Sequence, residues 1–543
     1  MKPFFRMSAI AVVLLLVLSA FRYEDDLFEL RKNFEIFGAL YEEIAVNYVD
    51  DVRPQPFMRA GIDAMLSQLD PYTHFYDEAD MVDMQLMQKR KIGSVGVQVG
   101  LRGGRLTVLA PENNAAAYKQ GIRTGDIVLQ IGETPTDNLT VEEAYGLLMG
   151  QPGTTAQILI QRGSEVNPRT FVLPRSLPKT LNVSYSGFLG ADSTDGYAYV
   201  RLDQFGNRAA REVKRAFRNM NRDVPLKGMI LDLRSNPGGI VGEAIGIVEL
   251  FVPSGSVVVS TRSKAENAIQ ELRTDEDPLF PDIPLVVLMD RYSASASEIV
   301  AGALQDYDRA LILGETSFGK GLVQITRPLP HNSLLKLTIS HYFLPTGRTI
   351  QSFELNSASA RVATPTATQF ETVGGRAVRG GFGVEPDEPF LIPDPSEIES
   401  VLLQESAFFL FADRWVSERC GFEIDCIGAE DEMFASFRTW LDEGSIRMNT
   451  HSEGLITQLE EEASLRGYGI VAELTTLRNQ LNLEMEEQLT ADRAKILERI
   501  KAEVRNRLLT ESEHIQQEID ADRFIERALA LLRSPREIEA VLR

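Results

Sequence analysis

Histidine and cysteine are scarce, with five His and two Cys in 543 residues. That scarcity excludes a His-rich metal site, a zinc-ribbon array and a disulfide scaffold. Positive charge is also in deficit: 56 Lys and Arg stand against 78 Asp and Glu, a net charge of −22. A chain this acidic is a poor general binder of phosphate backbones, so no nucleic-acid partner is expected. No G-x-x-x-x-G-K-[ST] run is present, which weakens any phosphate-cradling reading. No metal and no cofactor is expected. What is present is ordinary for a globular chain, 44% hydrophobic and 25% charged. At roughly 150 residues per domain, the length predicts three to four domains.

The N-terminus reads as a targeting segment. Lys2 and Arg6 precede an apolar run from Ala9 to Leu18. A basic stretch before an apolar run of this length is the secretory pattern. Residues 1–21 are therefore expected to be a signal peptide or signal anchor. The chain is expected to be exported to a periplasm, either soluble after cleavage or anchored to the inner membrane. Leu18 is bulky where a cut after Ala20 wants a small residue, so both outcomes stay open. Contact with a membrane is expected through this segment alone.

Beyond it the periodicity changes three times. Residues 22–91 read as a helical region, with Phe28, Leu30, Phe34, Phe37, Leu40, Tyr41 and Ile44 at helical spacing. Residues 92–178 read as a compact β-rich unit. There Val95, Val97 and Val99 alternate with small and polar residues, and Thr140 to Glu143 forms a capping box ahead of one helix. Residues 179–395 alternate strands with helices, including Met229–Leu233 and Leu285–Met289, and predict an α/β core. Residues 356–382, rich in Ser, Thr, Ala and Gly, predict a surface loop. Residues 396–543 read as a charged helical extension, for packing or for pairing with a second copy, and show no chemistry. Cys420 and Cys426 can bridge in an oxidising compartment if their Cα atoms lie within about 7 Å.

The chemistry concentrates in Ser293-Ala294-Ser295-Ala296-Ser297-Glu298, where a buried strand gives way to a helix. A Ser at such a junction lies at the helix's positive end, among N–H groups that stabilise developing negative charge. It needs a base. No His occupies a comparable motif, and Lys320, between Gly319 and Gly321, is the nearest plausible one. Ser295 and Glu298 also satisfy S-x-x-E, so a plain helix cap explains the same residues. Spacing alone leaves both readings open.

Several separated motifs, taken in order, narrow the choice. SASASEIVAGALQD (Ser293 to Asp306) and GETSFGKGLVQ (Gly314 to Gln324) resemble the C-terminal processing peptidases, or tail-specific proteases. LDLRSNPGG (Leu231 to Gly239), LTISHYFLPTGRTI (Leu337 to Ile350) and GVEPD (Gly383 to Asp387) extend the likeness. So do LDPYTHFY (Leu69 to Tyr76) and GSVGVQV (Gly93 to Val99). The resemblance covers residues 30–393 or so and implies a multidomain α/β fold, with a crotonase-like peptidase core and a PDZ domain. It implies Ser295 as nucleophile, Lys320 as general base and Gln324 as the residue that positions the amine. It implies oxyanion N–H groups from Ala296 and from Gly238 or Gly239, which it does not separate. Asp306 is implied as structural support. A Lys is a base only when neutral, and its free pKa is near 10.4, so burial must lower it. Gln324 suits that need, because it accepts a hydrogen bond without adding negative charge.

The implied PDZ domain points to protein substrates chosen by their C-terminal tails. Such a groove adds a peptide as a strand and holds its carboxylate in a nest of N–H groups. Ser94, Val95, Gly96 and Val97 occupy the place of that nest, with Leu147 or Leu148 lining a pocket. The competing readings are an inactive tail-binding adaptor and a crotonase-type acyl-CoA enzyme. The joint presence of Ser295, Lys320 and Gln324 opposes the first, and the export pattern opposes the second.

Overall fold

The computed structural model describes residues 28–78, 80, 92–112, 115–163, 165, 167–177, 181–190, 193–263, 269–351, 368–391, 395–420, 426–427, 429–444, 446, 450–509 and 511–542. The expected targeting segment, residues 1–21, lies outside them. Among the described residues no helix is long and apolar enough to cross a membrane.

The chain divides into two compact units. The smaller holds the described residues up to Glu78 together with Gln324–Thr338. It contains a helix over 28–47, a second helix Pro54–Leu66 and a strand His74–Tyr76. Tyr41 stacks on Phe57, and its hydroxyl donates to the Pro54 carbonyl at 2.8 Å, which joins the two helices. His74–Tyr76 pairs antiparallel with Leu334–Lys336. The expected helical region, 22–91, thus also contains a strand. Asp70 forces the change, accepting from the Tyr72 N–H and the Thr73 hydroxyl in a turn that Pro71 opens.

The larger unit begins with an antiparallel sheet. Its order is Val97–Arg102, Arg105–Pro111, Ile127–Ile131, Thr155–Gln161, Arg169–Pro174. Helix Val141–Leu148 packs on it and starts where the sequence predicts. Thr140 accepts from the Glu143 N–H at 3.2 Å, and Glu143 accepts from the Thr140 N–H at 2.8 Å. Val95, Val97, Val99, Leu106, Val108, Ile158 and Leu173 fill the core beneath.

The central sheet has six strands. In spatial order they are Glu388–Pro389, Leu311–Gly314, Leu285–Met289, Gly228–Asp232, Tyr197–Leu202 and Val183–Leu189. All neighbours are parallel except the last pair. Both faces are covered, as a parallel sheet requires. Met229, Leu231, Val287, Met289 and Ile312 face helices Ala209–Asp223, Val241–Val248 and Ala296–Asp306. Ile230, Val286, Leu288, Leu311 and Leu313 face the other way, onto Phe524, Ile525, Ala528, Leu531 and Leu532. The second layer is therefore helix Arg523–Arg533, from the end of the chain. The expected boundary at 395 separates the sheet from one of its own covering layers.

Two further readings change. The expected loop 356–382 includes an antiparallel hairpin, Thr368–Glu371 with Ala377–Gly380, while 352–367 lie outside the described residues. In the helical extension the sequence places an apolar stripe on Leu474, Leu477, Leu481, Met485 and Leu489, but only Leu474 and Leu489 are buried and Leu477 is exposed, so the stripe is partly covered. Its core is aromatic instead, built on Phe408, Phe411, Trp415, Phe437 and Trp440. Cys420 and Cys426 form a disulfide, with Cα atoms 5.1 Å apart.

Candidate active site

Three adjacent parallel strands end on one edge of the central sheet, where open α/β sheets hold their ligands. After Gly228–Asp232 comes the turn Leu233–Ile240. After Leu285–Met289 comes the turn into helix Ala296–Asp306. After Leu311–Gly314 comes the loop that carries Lys320.

Of the three serines in the second turn, two are structural. Ser293 is fully buried and donates its hydroxyl proton to the Leu233 carbonyl at 2.8 Å. Ser297 is fully buried and donates to the Asn236 carbonyl at 2.9 Å. Ser295 is half-buried, and among the described residues its hydroxyl proton is not given to a main-chain carbonyl. Its backbone sits at φ 56° and ψ −110°. A non-glycine residue held there costs about 1–3 kcal/mol, so its surroundings must over-determine it.

Glu298 supplies that restraint. It is fully buried. Its Oε2 accepts from the Ser295 N–H at 2.7 Å and from the Lys320 N–H at 2.9 Å. Its Oε1 accepts from the Ser317 hydroxyl at 2.6 Å and the Gly319 N–H at 2.7 Å. One carboxylate thus fastens the serine turn to the lysine loop. Phe318 adds a second tie, its N–H donating to the Ser293 carbonyl at 3.0 Å. Burial pushes the Glu298 carboxyl above its ordinary value, and the four donors oppose that push. The S-x-x-E pattern, which reads in the sequence as a rival explanation of Ser295, is here part of the site. Only the fold reveals the donors on the second loop.

Glu298→Gln tests the clamp. An amide presents one acceptor oxygen and turns an NH2 group toward donors. At least two of the four donors are then left unpaired, at about 1–3 kcal/mol each. A lowered melting midpoint and a fall in kcat/KM of about tenfold or more are expected. Wild-type values for both would show that the clamp contributes nothing.

The first turn meets the second closely. A Cβ on Gly238 would lie 2.6 Å from the Ala294 oxygen and 2.9 Å from the Ser295 Cβ, so only glycine fits beside the serine. Gly238 takes φ 94°, which glycine adopts without strain. Its N–H donates to Asn236 Oδ1 at 2.9 Å. Gly239 forms a parallel bridge with Phe205 that uses the Gly238 carbonyl and the Ile240 N–H, leaving the Gly239 N–H out. The two glycines, inseparable in the sequence, are thus distinguished by their bonding. Asn236 holds the turn by donating to the Leu202 carbonyl at 2.6 Å, a part that no local sequence pattern signals.

Asp306 closes the helix far from Ser295. It is fully buried, pairs with Arg348 at 2.8 Å, and accepts from the Thr346 N–H and hydroxyl at 3.0 and 2.8 Å. Burial pushes its carboxyl up, and Arg348 opposes that. Gln324 lies in the smaller unit, where its Nε2 donates to the Tyr72 carbonyl at 2.9 Å.

The expected carboxylate nest is partly occupied from within. The Ser94 N–H donates to the Ser176 carbonyl at 2.8 Å, and the Gly96 N–H to Ser94 Oγ at 2.9 Å. Neither can serve a ligand without losing a bond. The side chains of Val95 and Val97 are buried in the core, and Leu148 joins them, whereas Leu147 is only partly buried. Tyr145, on the helix, meets the edge strand: its hydroxyl lies 3.1 Å from the Val99 nitrogen and 3.4 Å from the Val99 oxygen. A peptide strand adding to that edge has to displace it.

Three segments of the chain match known protein families. Residues 196–356 match the model of peptidase family S41, residues 93–169 a PDZ domain, and residues 398–532 the probable PDZ-protease C-terminal helical domain. The carboxy-terminal-processing protease of Bartonella bacilliformis is 34% identical over 325 residues, 59% of this chain and 73% of that one. The carboxyl-terminal-processing protease of Synechocystis is 33% identical over 291 residues, 52% of this chain and 66% of that one. A solved photosystem II D1 C-terminal processing protease aligns at 25% identity over 66% of this chain and 87% of that one, with a TM-score of 0.38. The expected multidomain α/β architecture holds, and protein substrates follow from the family and the PDZ domain. The chain belongs to peptidase family S41, among the C-terminal processing peptidases, and is a serine endopeptidase.

Proposed function

We propose that Ser295 and Lys320 form the catalytic dyad and that substrates are selected by their C-terminal tails. The observation that carries the dyad is the shared Glu298 oxygen, which takes the N–H of both residues. Ser295 Oγ attacks the scissile carbonyl while the neutral Lys320 amine takes its proton. The amine then returns that proton to the leaving nitrogen, and the acyl-enzyme forms. Water attacks the ester by the same route and frees Ser295. The oxyanion is held by the Ala296 N–H, at the first turn of its helix, and by the Gly239 N–H. Gly238 is the lesser choice, because its N–H is spent on Asn236. Export rests on the basic and apolar pattern of residues 1–21. Self-association through the helical regions is part of this reading, supported by the exposed Phe28, Leu30 and Phe34.

Tail selection is tested with one peptide in two forms, ending in apolar residues with a free or an amidated C-terminus. Losing a charge-assisted hydrogen bond costs about 1.5–3 kcal/mol, roughly 10- to 150-fold in kcat/KM. The free acid should be cut faster by that margin. Equal rates would mean that the PDZ domain does not read the tail.

A further inference from the structure

The turn Leu233–Ile240 is fastened at its start by a residue from the end of the chain. Arg234 Nε donates to both Asp232 oxygens at 3.0 Å, and its Nη2 reaches Asp232 Oδ2 at 2.5 Å. The same Nη2 pairs with Asp522 Oδ2 at 2.8 Å. The guanidinium lies over the Phe524 ring, 4.9 Å from its centre. Asp522 is also the cap of helix Arg523–Arg533, its Oδ1 accepting from the Phe524 and Ile525 N–H groups at 2.8 and 3.3 Å. One carboxylate therefore does two separable jobs with its two oxygens.

The turn needs such anchors. Ser235, next to Arg234, sits at φ 56°, a conformation it does not favour by itself. Asp290 holds its N–H at 2.9 Å, and the N–H of Ala294 and the hydroxyl of Ser297 hold the Asn236 carbonyl. These anchors all come from the strand-end turns of the sheet. Asp522 comes from helices that cover its other face.

We propose that Asp522 is a positioning residue for peptide hydrolysis: by holding Arg234 it fixes the turn that aims the Gly239 N–H, and so makes oxyanion stabilisation depend on the docking of helix Arg523–Arg533. This rests on the reading of that turn as an oxyanion donor. Donors aimed at charge that develops only in the transition state change kcat rather than KM. A displaced donor therefore has a kinetic signature that a lost helix cap lacks.

Two substitutions separate the jobs. Asp522→Asn keeps an oxygen for the cap, since Asn caps as well as Asp, but gives up the charge facing Arg234. Asp522→Glu keeps the charge and caps poorly. In the full chain, with an unstructured peptide ending in a free apolar C-terminus, Asp522→Asn should lower kcat about 10- to 100-fold. Its KM and melting midpoint should stay near wild type. Asp522→Glu should lose more of the midpoint and keep more of kcat. Wild-type kcat in Asp522→Asn, or kcat losses that simply follow the midpoints of the two variants, would overturn the proposal. Ser295→Ala is run beside them: hydrolysis surviving there overturns the serine reading itself, whereas its loss together with an unaffected Asp522→Asn overturns only the positioning role.

Discussion

Ser295→Ala should abolish hydrolysis, with kcat falling on the order of 10⁶-fold, as when a nucleophile acting with its base is removed. Ser293→Ala and Ser297→Ala should keep a substantial fraction of it. The difference follows from where the three hydroxyl protons go. Those of Ser293 and Ser297 are committed to the Leu233 and Asn236 carbonyls, each fully inside the protein. Removing either hydroxyl leaves a buried carbonyl short of a partner and costs stability, about 1–3 kcal/mol. It also loosens the glycine turn slightly, so some activity is lost as well. Melting midpoints measured beside kcat distinguish the cases. Ser295→Ala should be inactive with a near-wild-type midpoint, and the other two less stable but active. An inactive, stable Ser297→Ala beside an active Ser295→Ala would shift the nucleophile by two residues.

Lys320→Arg should be as inactive as Lys320→Ala. Arg keeps the positive charge but cannot be deprotonated in a protein, so it cannot act as the base. General-base catalysis contributes about 10²–10⁴-fold, and that is the smallest loss expected in kcat. The wild-type rate should rise with pH as the amine loses its proton, because the neutral form is the active one. Both substitutions leave the Lys320 N–H bond to Glu298 in place, since that bond is made by the main chain. The loop should therefore keep its course, and the loss can be assigned to the amine. Full activity in Lys320→Arg would rule out a lysine base.

Much of the candidate site is legible in the sequence because its chemistry sits in short runs. The SASASE block, the lysine between glycines and the NPGG turn each lie within a few residues. The strands that carry them are apolar enough to be placed, as Leu285–Met289 is to the residue. What escapes is whatever depends on one run meeting another. Glu298 reads as a helix cap because its other three donors lie 19 or more residues away in a different loop. Gly238 and Gly239 are indistinguishable until Asn236 folds back on one and Phe205 bridges across the other. The last helices look like an unrelated extension because their apolar partners, Ile230, Val286 and Leu311, lie more than 200 residues earlier. A strand with both faces buried shows no alternation, so nothing in Gly228–Asp232 tells that a helix from the chain's end covers one side.

The proposed chemistry turns on which side chain is the nucleophile and whether Lys320 activates it. A serine-reactive phosphonate, incubated with the full chain and located by peptide mass spectrometry, measures both at once. The adduct is expected on Ser295 alone and is expected to be lost in Lys320→Arg. An adduct on Ser293 or Ser297, or undiminished labelling of Ser295 in Lys320→Arg, would contradict it.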